Sequence, residues 1–486
     1  MEVNIIMINQ EPQAKKAKVS LMLIAIAIGT FMSAMDSNIV NVSLPQIQTC
    51  FHINLSTVEW VTTAYLLIVS SMVLTFGRLS DLIGHKKIYL TGFILFTVGS
   101  LLCGLSYSIQ LLIGCRIFQA LGAGMMFSCN FAIITGNVLP ENRGKALSIT
   151  AIAVAVGACV GPAIGGELAS LFSWRSIFFI NIPFGIIGIF LAMRAIPHDT
   201  ERIRSPLDLP GSIFIFLALF LMLMPLNLAG NIGINQPLFF ILLLMGAFFI
   251  AAFFITETKS KYPLLSLAMF HNRILTTNLI ATFFNYMSQC ILAFIAPFYL
   301  EQIRMLSTAV TGLLYISMPI AMIVASPISG VFSDKHDSRI FSSVGMGIMA
   351  IGMFMFCFAA LDTPFWYIVI AMLLAGAGSG MFQTPNNNMI MGSAPENHRG
   401  TVSAVLATFR NIGMVMGVAI SGAVFNFSSG KAQAVFAAQG MTGLKLKQSS
   451  FIRGMQFTIL AAVVIALLSM LFSLLQGKKA MTAERN

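Results

Sequence analysis

Apolar runs of about twenty residues, each closed by a short polar break, recur from one end of this chain to the other. A helix rises about 1.5 Å per residue, so one such run crosses a hydrocarbon core roughly 30 Å thick. Inside that core every backbone N–H and C=O must be satisfied within its own helix or within a closed barrel, and runs this long and continuous fit only the helix. They fall at about 20–44, 57–76, 87–106, 111–138, 146–171 and 176–195. A pair follows at 209–228 and 237–256, then six more near 276–300, 308–332, 340–360, 366–391, 402–427 and 451–475. The expected fold class is all-α and integral to the membrane, with 14 transmembrane helices. Composition excludes a soluble globule: 57% of residues are hydrophobic and 9% charged, and the mean hydropathy is +0.87.

An even number of spans leaves both termini on one side. Loops on that side carry most of the Lys and Arg, from Lys15, Lys16 and Lys18 through Lys86, Lys87, Arg143 and Lys145 to Lys478 and Arg485. The other side holds Arg175, Arg304, Lys431, Lys445, Lys447 and Arg453. Both termini are therefore expected in the cytoplasm. The same asymmetry accounts for the formal net charge of +11, so no nucleic-acid partner is implied. The N-terminal lysines before an apolar run resemble a signal peptide, but the spans that follow favour an uncleaved first helix.

The seven cysteines are scattered without ligand or redox spacing, so neither a metal nor a disulfide is expected. No glycine-rich phosphate loop is present, which argues against direct ATP coupling and any nucleotide cofactor. A membrane enzyme or sensor would need a catalytic constellation or an appended soluble domain, and the sequence displays neither.

An internal repeat organises the spans. "GRLSD" ending at Asp81 returns as "GVFSD" ending at Asp334, "GAG" at Gly122 returns at Gly376, and "PENRGKALS" from Pro140 returns as "PENHRGTVS" from Pro395. The displacements are 253, 254 and 255, which pairs spans two to five with spans ten to thirteen. The expected domains are residues 1–200 as one six-helix bundle, 201–262 as two inserted helices, and 263–486 as a second six-helix bundle. Such repeats suit a secondary transporter whose site between the halves faces each side in turn.

Asp36 is the one charge between Leu21 and Pro45. An ionisable group inside a span is costly and normally faces a partner or a wet cavity. Gly29, Ser33 and Ser43 share its helix face, which makes that face small and polar. In the fourth span Arg116 and Gln119 stand one turn apart. A carboxyl takes up a proton in apolar surroundings and yields it beside a guanidinium, so Asp36 and Arg116 form a candidate proton-coupling pair. The alternative is a static pair tying the first and fourth helices together.

Asn278, Thr282, Asn285 and Gln289 fall at i, i+4, i+7 and i+11, one polar stripe along the ninth span. Gln383, Asn386, Asn387 and Asn388 add neutral groups to the twelfth. Gln119, Asn278, Asn285, Gln289, Gln383 and Asn387 are the candidate substrate-cavity residues, with ligand-free bonding between helices as the alternative. At a displacement of 254, Asp36 maps onto Cys290 and Arg116 onto Ile370. Buried charge is therefore expected in the first half alone, while the second half offers amides and aromatics such as Phe283, Phe284, Tyr286 and Phe298.

"GRLSDLIGHKK" (77–87) looks like the signature loop of the major facilitator superfamily, and "LLIGCRIFQALGAG" (111–124) is similar to its fourth-helix arginine motif. "VGACVGPAIGG" (156–166) is similar to its antiporter motif, while "MDSNIVNVSLP" and "SWRSIFFINIPFG" resemble the fourteen-helix drug:proton antiporter family. The resemblance implies a major facilitator-type fold of two six-helix bundles plus two helices between them. It also makes Gly77, Asp81, Gly84, Lys86 and Arg143 a candidate cytoplasmic latch. There the glycines permit a tight turn and Asp81 can pair with a cation such as Arg143; a solvated loop is the alternative. Gly157, Gly161, Pro162, Gly165 and Gly166 form the candidate antiporter helix motif, for whose glycines plain helix packing is an adequate alternative.

The expected protein is a proton-coupled exporter of amphipathic organic compounds in a bacterial inner membrane. It needs no cofactor or metal, can act as a monomer, and has protons, small molecules and lipids as its partners. The alternative is a dedicated transporter of one metabolite, peptide or siderophore.

Overall fold

The computed structural model describes residues 2–139, 143–197, 209–232, 237–259, 267–335, 337–393 and 399–475. The first six spans are α1 (Lys18–Phe51), α2 (Leu55–Ile83), α3 (His85–Gly104), α4 (Ile109–Asn137), α5 (Arg143–Leu171) and α6 (Ser176–Ala195). Then come α7 (Leu209–Ile232) and α8 (Pro237–Lys259). The last six are α9 (Arg273–Ile303), α10 (Thr308–Ser333), α11 (Ser338–Cys357), α12 (Phe365–Gly392), α13 (Arg399–Ala438) and α14 (Gly443–Leu474). Among the described residues, 13 helices are long and apolar enough to cross a membrane. With α7, which is helical for 24 residues, they make the expected fourteen.

Proline decides where two of these helices break. Pro183 and Pro319 cannot donate to the carbonyls of Phe179 and Tyr315. The helical segments Ser176–Phe179 and Thr308–Tyr315 end on those very residues, and new segments start at Asn181 and Ser317. Pro45 behaves otherwise. The first helix was expected to end near it but runs on to Phe51, with the Thr49 hydroxyl donating to the Pro45 carbonyl at 2.6 Å. This puts Asp36 near the middle of α1 and not towards its far end. The polar stretch 428–450, expected as a loop, is mostly helix, because α13 continues to Ala438 and α14 opens at Gly443. Its alanines, glutamines and lysines are good helix formers.

Helices α1 to α6 pack on one another, as do α9 to α14. The repeat shows in that packing. A Cβ added at Gly92 of α3 would lie 2.8 Å from the Gly122 carbonyl of α4, and one at Gly345 of α11 would lie 2.7 Å from the Gly378 carbonyl of α12. Two turns further on, Gly99 and Gly352, again 253 apart, admit the backbones at Gln119 and Ala375.

The two sets of helices meet along a seam formed by α2 with α13 and α5 with α10, and α7 lies against both α2 and α13. Hydrogen bonds cross the seam at the face remote from the chain termini, here termed the distal face. Gln46 donates to Thr308 (2.6 Å), Gln302 to Gln48 (2.7 Å) and Asn426 to Ser56 (2.7 Å). Gly166 sits against the Thr308 carbonyl and Gly312 against that of Pro162, so two backbones touch where a side chain would separate them. The seam is shut at its distal end.

At the terminal face Gly84 both ends α2 and starts α3, with φ 107° and ψ 133°, a conformation open to glycine and strained for other residues. Gly84→Ala is expected to cost about 1–3 kcal/mol, read as a lower unfolding temperature of the purified protein. Gly77 was expected to serve the same turn. It lies instead inside α2, with the Ser128 Cβ as the nearest atom at 3.9 Å, so it shapes no turn.

Candidate functional site

Two helices, α4 and α6, bring three donors to Asp36. Arg116 Nη1 donates to its Oδ2 at 2.6 Å. Gln119 Nε2 and Asn181 Nδ2 donate to Oδ1 at 3.0 and 2.9 Å. Ser100 on α3 ties the two amides together, accepting from Gln119 at 2.6 Å and from Asn181 at 3.3 Å. Arg116 is held by further contacts: Nη1 donates to Gln119 Oε1 (2.6 Å), Nε donates to the Val61 carbonyl of α2 (3.1 Å), and the guanidinium lies 4.1 Å over the Tyr65 ring. Asp36, Arg116, Gln119, Ser100 and Asn181 are all fully buried.

Local structure explains the convergence. Gly29 lets Tyr89 and Phe93 of α3 close on α1, and Gly99 lets α4 approach α3 at Gln119. The break at Ile180 swings Asn181 to the head of its segment, where it points inward. A Cβ added at Gly157 or Gly161 of α5 would lie 2.7 Å from the Phe31 carbonyl or 3.0 Å from that of Met35, and Gly165 packs on Ile39, so α5 lies along the length of α1 that carries Asp36. Pro162 and Gly166, on another face of α5, meet α10. One helix therefore touches both the buried carboxylate's helix and the other half of the molecule.

Three donors hold the two carboxylate oxygens of Asp36, and the group is sealed from solvent in this conformer. Proton exchange here requires helix movement. Gln119, expected in a substrate cavity, belongs to this closed network instead. Asn181 and Ser100 were not anticipated. The signal available for Asn181 was its place as the single amide in the apolar run "IFFINIPFG".

The polar stripe of the second half divides. Asn278 and Asn285 are fully buried. Asn278 donates to the Ile274 carbonyl (2.6 Å), and Asn285 turns to the sulfurs of Met346 and Met349 on α11 (3.2 and 3.5 Å). Thr282 accepts from Asn386 at 2.7 Å. These groups join helices, the alternative given above. Gln289 and Gln383 remain half-buried and both reach the Met322 sulfur, at 3.8 and 3.7 Å. Gln383 also accepts from the Tyr286 hydroxyl at 3.1 Å, and Arg410 of α13 lies over the Tyr286 ring at 5.7 Å. Asn387 is half-buried on the same helix as Gln383.

Arg410 is a half-buried cation of the second half, where the sequence reading named only amides and aromatics. It lies well inside α13, and reading the sequence one repeat unit at a time hid it, because its displaced counterpart has no charge to match. A cleft of about 430 Å³ lies elsewhere, between α1, α5 and α6, lined by Leu23, Ile28, Phe31, Ile152, Val156 and Phe184 among others. None of the predicted amides reaches it, and Ser20 supplies its one side-chain hydroxyl.

At the expected latch, Lys86 is largely buried and donates to the Met193 carbonyl at 2.8 Å, near the C-terminus of α6 in its own half. The side chains of Asp81 and Arg143 lie outside the described residues.

A family profile for the Major Facilitator Superfamily matches residues 26–271 and 279–475. The chain belongs to the Major Facilitator Superfamily. It is a transporter-family protein and not an enzyme. It is 35% identical over 411 residues to the riboflavin transporter RibZ of Clostridioides difficile, covering 83% of this chain and 88% of the relative. It is 29% identical over 412 residues to multidrug resistance protein 3 of Bacillus subtilis, covering 85% and 80%. Among solved structures, a bacterial homologue of the human lysosomal transporter Spinster superposes with a TM-score of 0.68 at 16% identity, covering 94% of this chain and 97% of that one. The D-xylose–proton symporter superposes with a TM-score of 0.63 at 15% identity, covering 92% and 97%. Both likenesses concern the fold.

Proposed function

We propose that this superfamily member is a proton-coupled exporter of amphipathic organic compounds, of the fourteen-helix drug:proton antiporter type. The observation that carries this reading is the fully buried Asp36 with Arg116, Gln119 and Asn181 bonded to it. A transporter that needed only to hold α1 and α4 together could do so with apolar packing, at less desolvation cost. Movement at the seam reaches Asp36 through α5, which would loosen its donors as the halves rock and let a proton enter or leave. The division into residues 1–200, 201–262 and 263–486 belongs to the same reading. So do cytoplasmic termini, a place in the inner membrane, and a cytoplasmic latch built around Asp81 and Arg143.

Substrate contact is assigned to Gln289, Gln383, Asn387, Tyr286 and Arg410 in the second half. Gln289→Leu is expected to alter the relative transport of different substrates several-fold with the protein's unfolding temperature unchanged. Asn285→Leu, by contrast, should shift stability and leave the substrate ranking intact. Initial rates for a panel of compounds, measured beside thermal unfolding, distinguish the two.

A second reading has its own support. RibZ is the most similar of the relatives compared above, and its name specifies one metabolite. Planar, amide-rich compounds would suit the glutamines and the Tyr286 ring. Proteoliposomes with an imposed pH gradient, offered riboflavin and several unrelated lipophilic dyes in turn, decide between them. Gradient-driven movement of several dyes supports the exporter; movement of riboflavin alone supports the dedicated transporter.

A further inference from the structure

Glu59 of α2 is fully buried, and neither carboxylate oxygen has a hydrogen-bond partner. It sits on the seam. Its carboxyl occupies the space where any residue but glycine at 422 of α13 would place a Cβ. One turn away on the same seam, Asn426 donates to Ser56, so the carboxyl lies just inside a bond that closes the distal face.

Among the described residues, no cation on the surrounding helices is bonded to Glu59, and those with described contacts make them elsewhere. On α4, Arg116 is bonded to Asp36 of α1 and lies over Tyr65 of α2. On α13, Arg410 lies over Tyr286, 12 positions before Gly422, and Lys431 lies over Phe427, nine positions after it. On α3, His85 and Lys86 meet Ser80 and Met193 at the opposite end of α2. Helix α7, which lies against both α2 and α13, has no ionisable residue in its sequence. The cysteines of α4, Cys115 and Cys129, are thiols that offer no positive charge. An ionised carboxylate in this position would be a buried charge with neither a counter-ion nor a donor, which a closed seam does not tolerate. A neutral acid fits. Opening the distal face would withdraw Gly422 and give the same group to water, where it ionises freely.

We propose that Glu59 is a second proton-binding site, distinct from Asp36: occupied, it lets the distal face close, and empty, it favours the open form. The proton in this role does not cross the membrane, because the closed form seals Glu59 completely. It sets which conformation prevails, so acidity on the distal side favours the form whose distal end is shut. This inference rests on alternating access and is independent of proton-driven transport at Asp36. Glu301, on the π-helical turn that ends α9, is another acid near the distal face with an unpartnered oxygen and serves as the comparison.

The test uses purified full-length protein in detergent, with no substrate and no gradient. Spin labels at Thr49 and Gly430, which are exposed at the distal ends of opposite halves, report the seam distance in a background lacking the seven native cysteines. Between about pH 5 and about pH 9, the open fraction of the otherwise unmodified protein is expected to rise several-fold. Glu59→Gln should stay closed throughout, while Glu301→Gln keeps the response. Gly422→Ala, whose methyl displaces the carboxyl, should open the seam at every pH, and Glu59→Ala with Gly422→Ala should close it again. Infrared spectra at neutral pH should show a protonated-carboxyl band that Glu59→Gln removes. A seam distance that ignores pH, or a response that survives in Glu59→Gln, overturns the proposal.

Discussion

Asp36→Asn is expected to give a folded protein that still binds substrate and no longer accumulates it in response to a pH gradient. The amide keeps the shape of the side chain and its oxygen can accept from Arg116, whose guanidinium also keeps Gln119, the Val61 carbonyl and the Tyr65 ring as partners. Losing the pair therefore lowers the unfolding temperature while the helices remain together. The amide cannot exchange a proton. Gradient-driven uptake into inverted vesicles should fall at least tenfold, the equivalent of about 1.4 kcal/mol, while substrate binding measured by fluorescence or calorimetry changes little. Wild-type accumulation by Asp36→Asn would show that the pair is static and would remove the proton-coupling reading.

The other large effect is expected at Arg116. Arg116→Met removes the one cation bonded to a carboxylate that has no exposure of its own. Breaking a buried pair from one side costs about 3–5 kcal/mol, because the remaining charge is left uncompensated. Arg116→Met should therefore unfold at a much lower temperature or fail to accumulate in the membrane. Adding Asp36→Asn removes the stranded charge, so the double variant should recover much of the lost stability and none of the coupled transport. A double-mutant cycle on thermal unfolding measures the interaction directly. Equal losses in the single and double variants would mean that packing of Arg116 against Tyr65 and Phe178 matters more than its charge. Arg116→Lys is a poor substitute, since one ammonium cannot meet Asp36, Gln119 and the Val61 carbonyl together.

What the sequence by itself determined was the solvent, the number of spans and the two-fold plan. Those are statements about length and pattern: a run of twenty apolar residues must be a helix in hydrocarbon, and matches at one displacement must occupy like places in two copies. It also picked out Asp36 and Arg116, because a charge inside such a run stands out against its neighbours. What only the tertiary structure decided was which polar groups meet. The helical stripe from Asn278 to Gln289 is real as a spacing, yet it is too wide for a single neighbour, so its buried end serves α11 and α12 while Gln289 stays half-open. Gln119 lies one turn from Arg116 in sequence and could have faced a cavity; the close approach at Gly99 brings it to Asp36 instead. Glu59 gave no sign of its position, because a glutamate near the end of a span reads as an interfacial residue. Its burial depends on a glycine 363 positions away in the chain, and no local pattern encodes an encounter between two halves that meet only when the molecule closes.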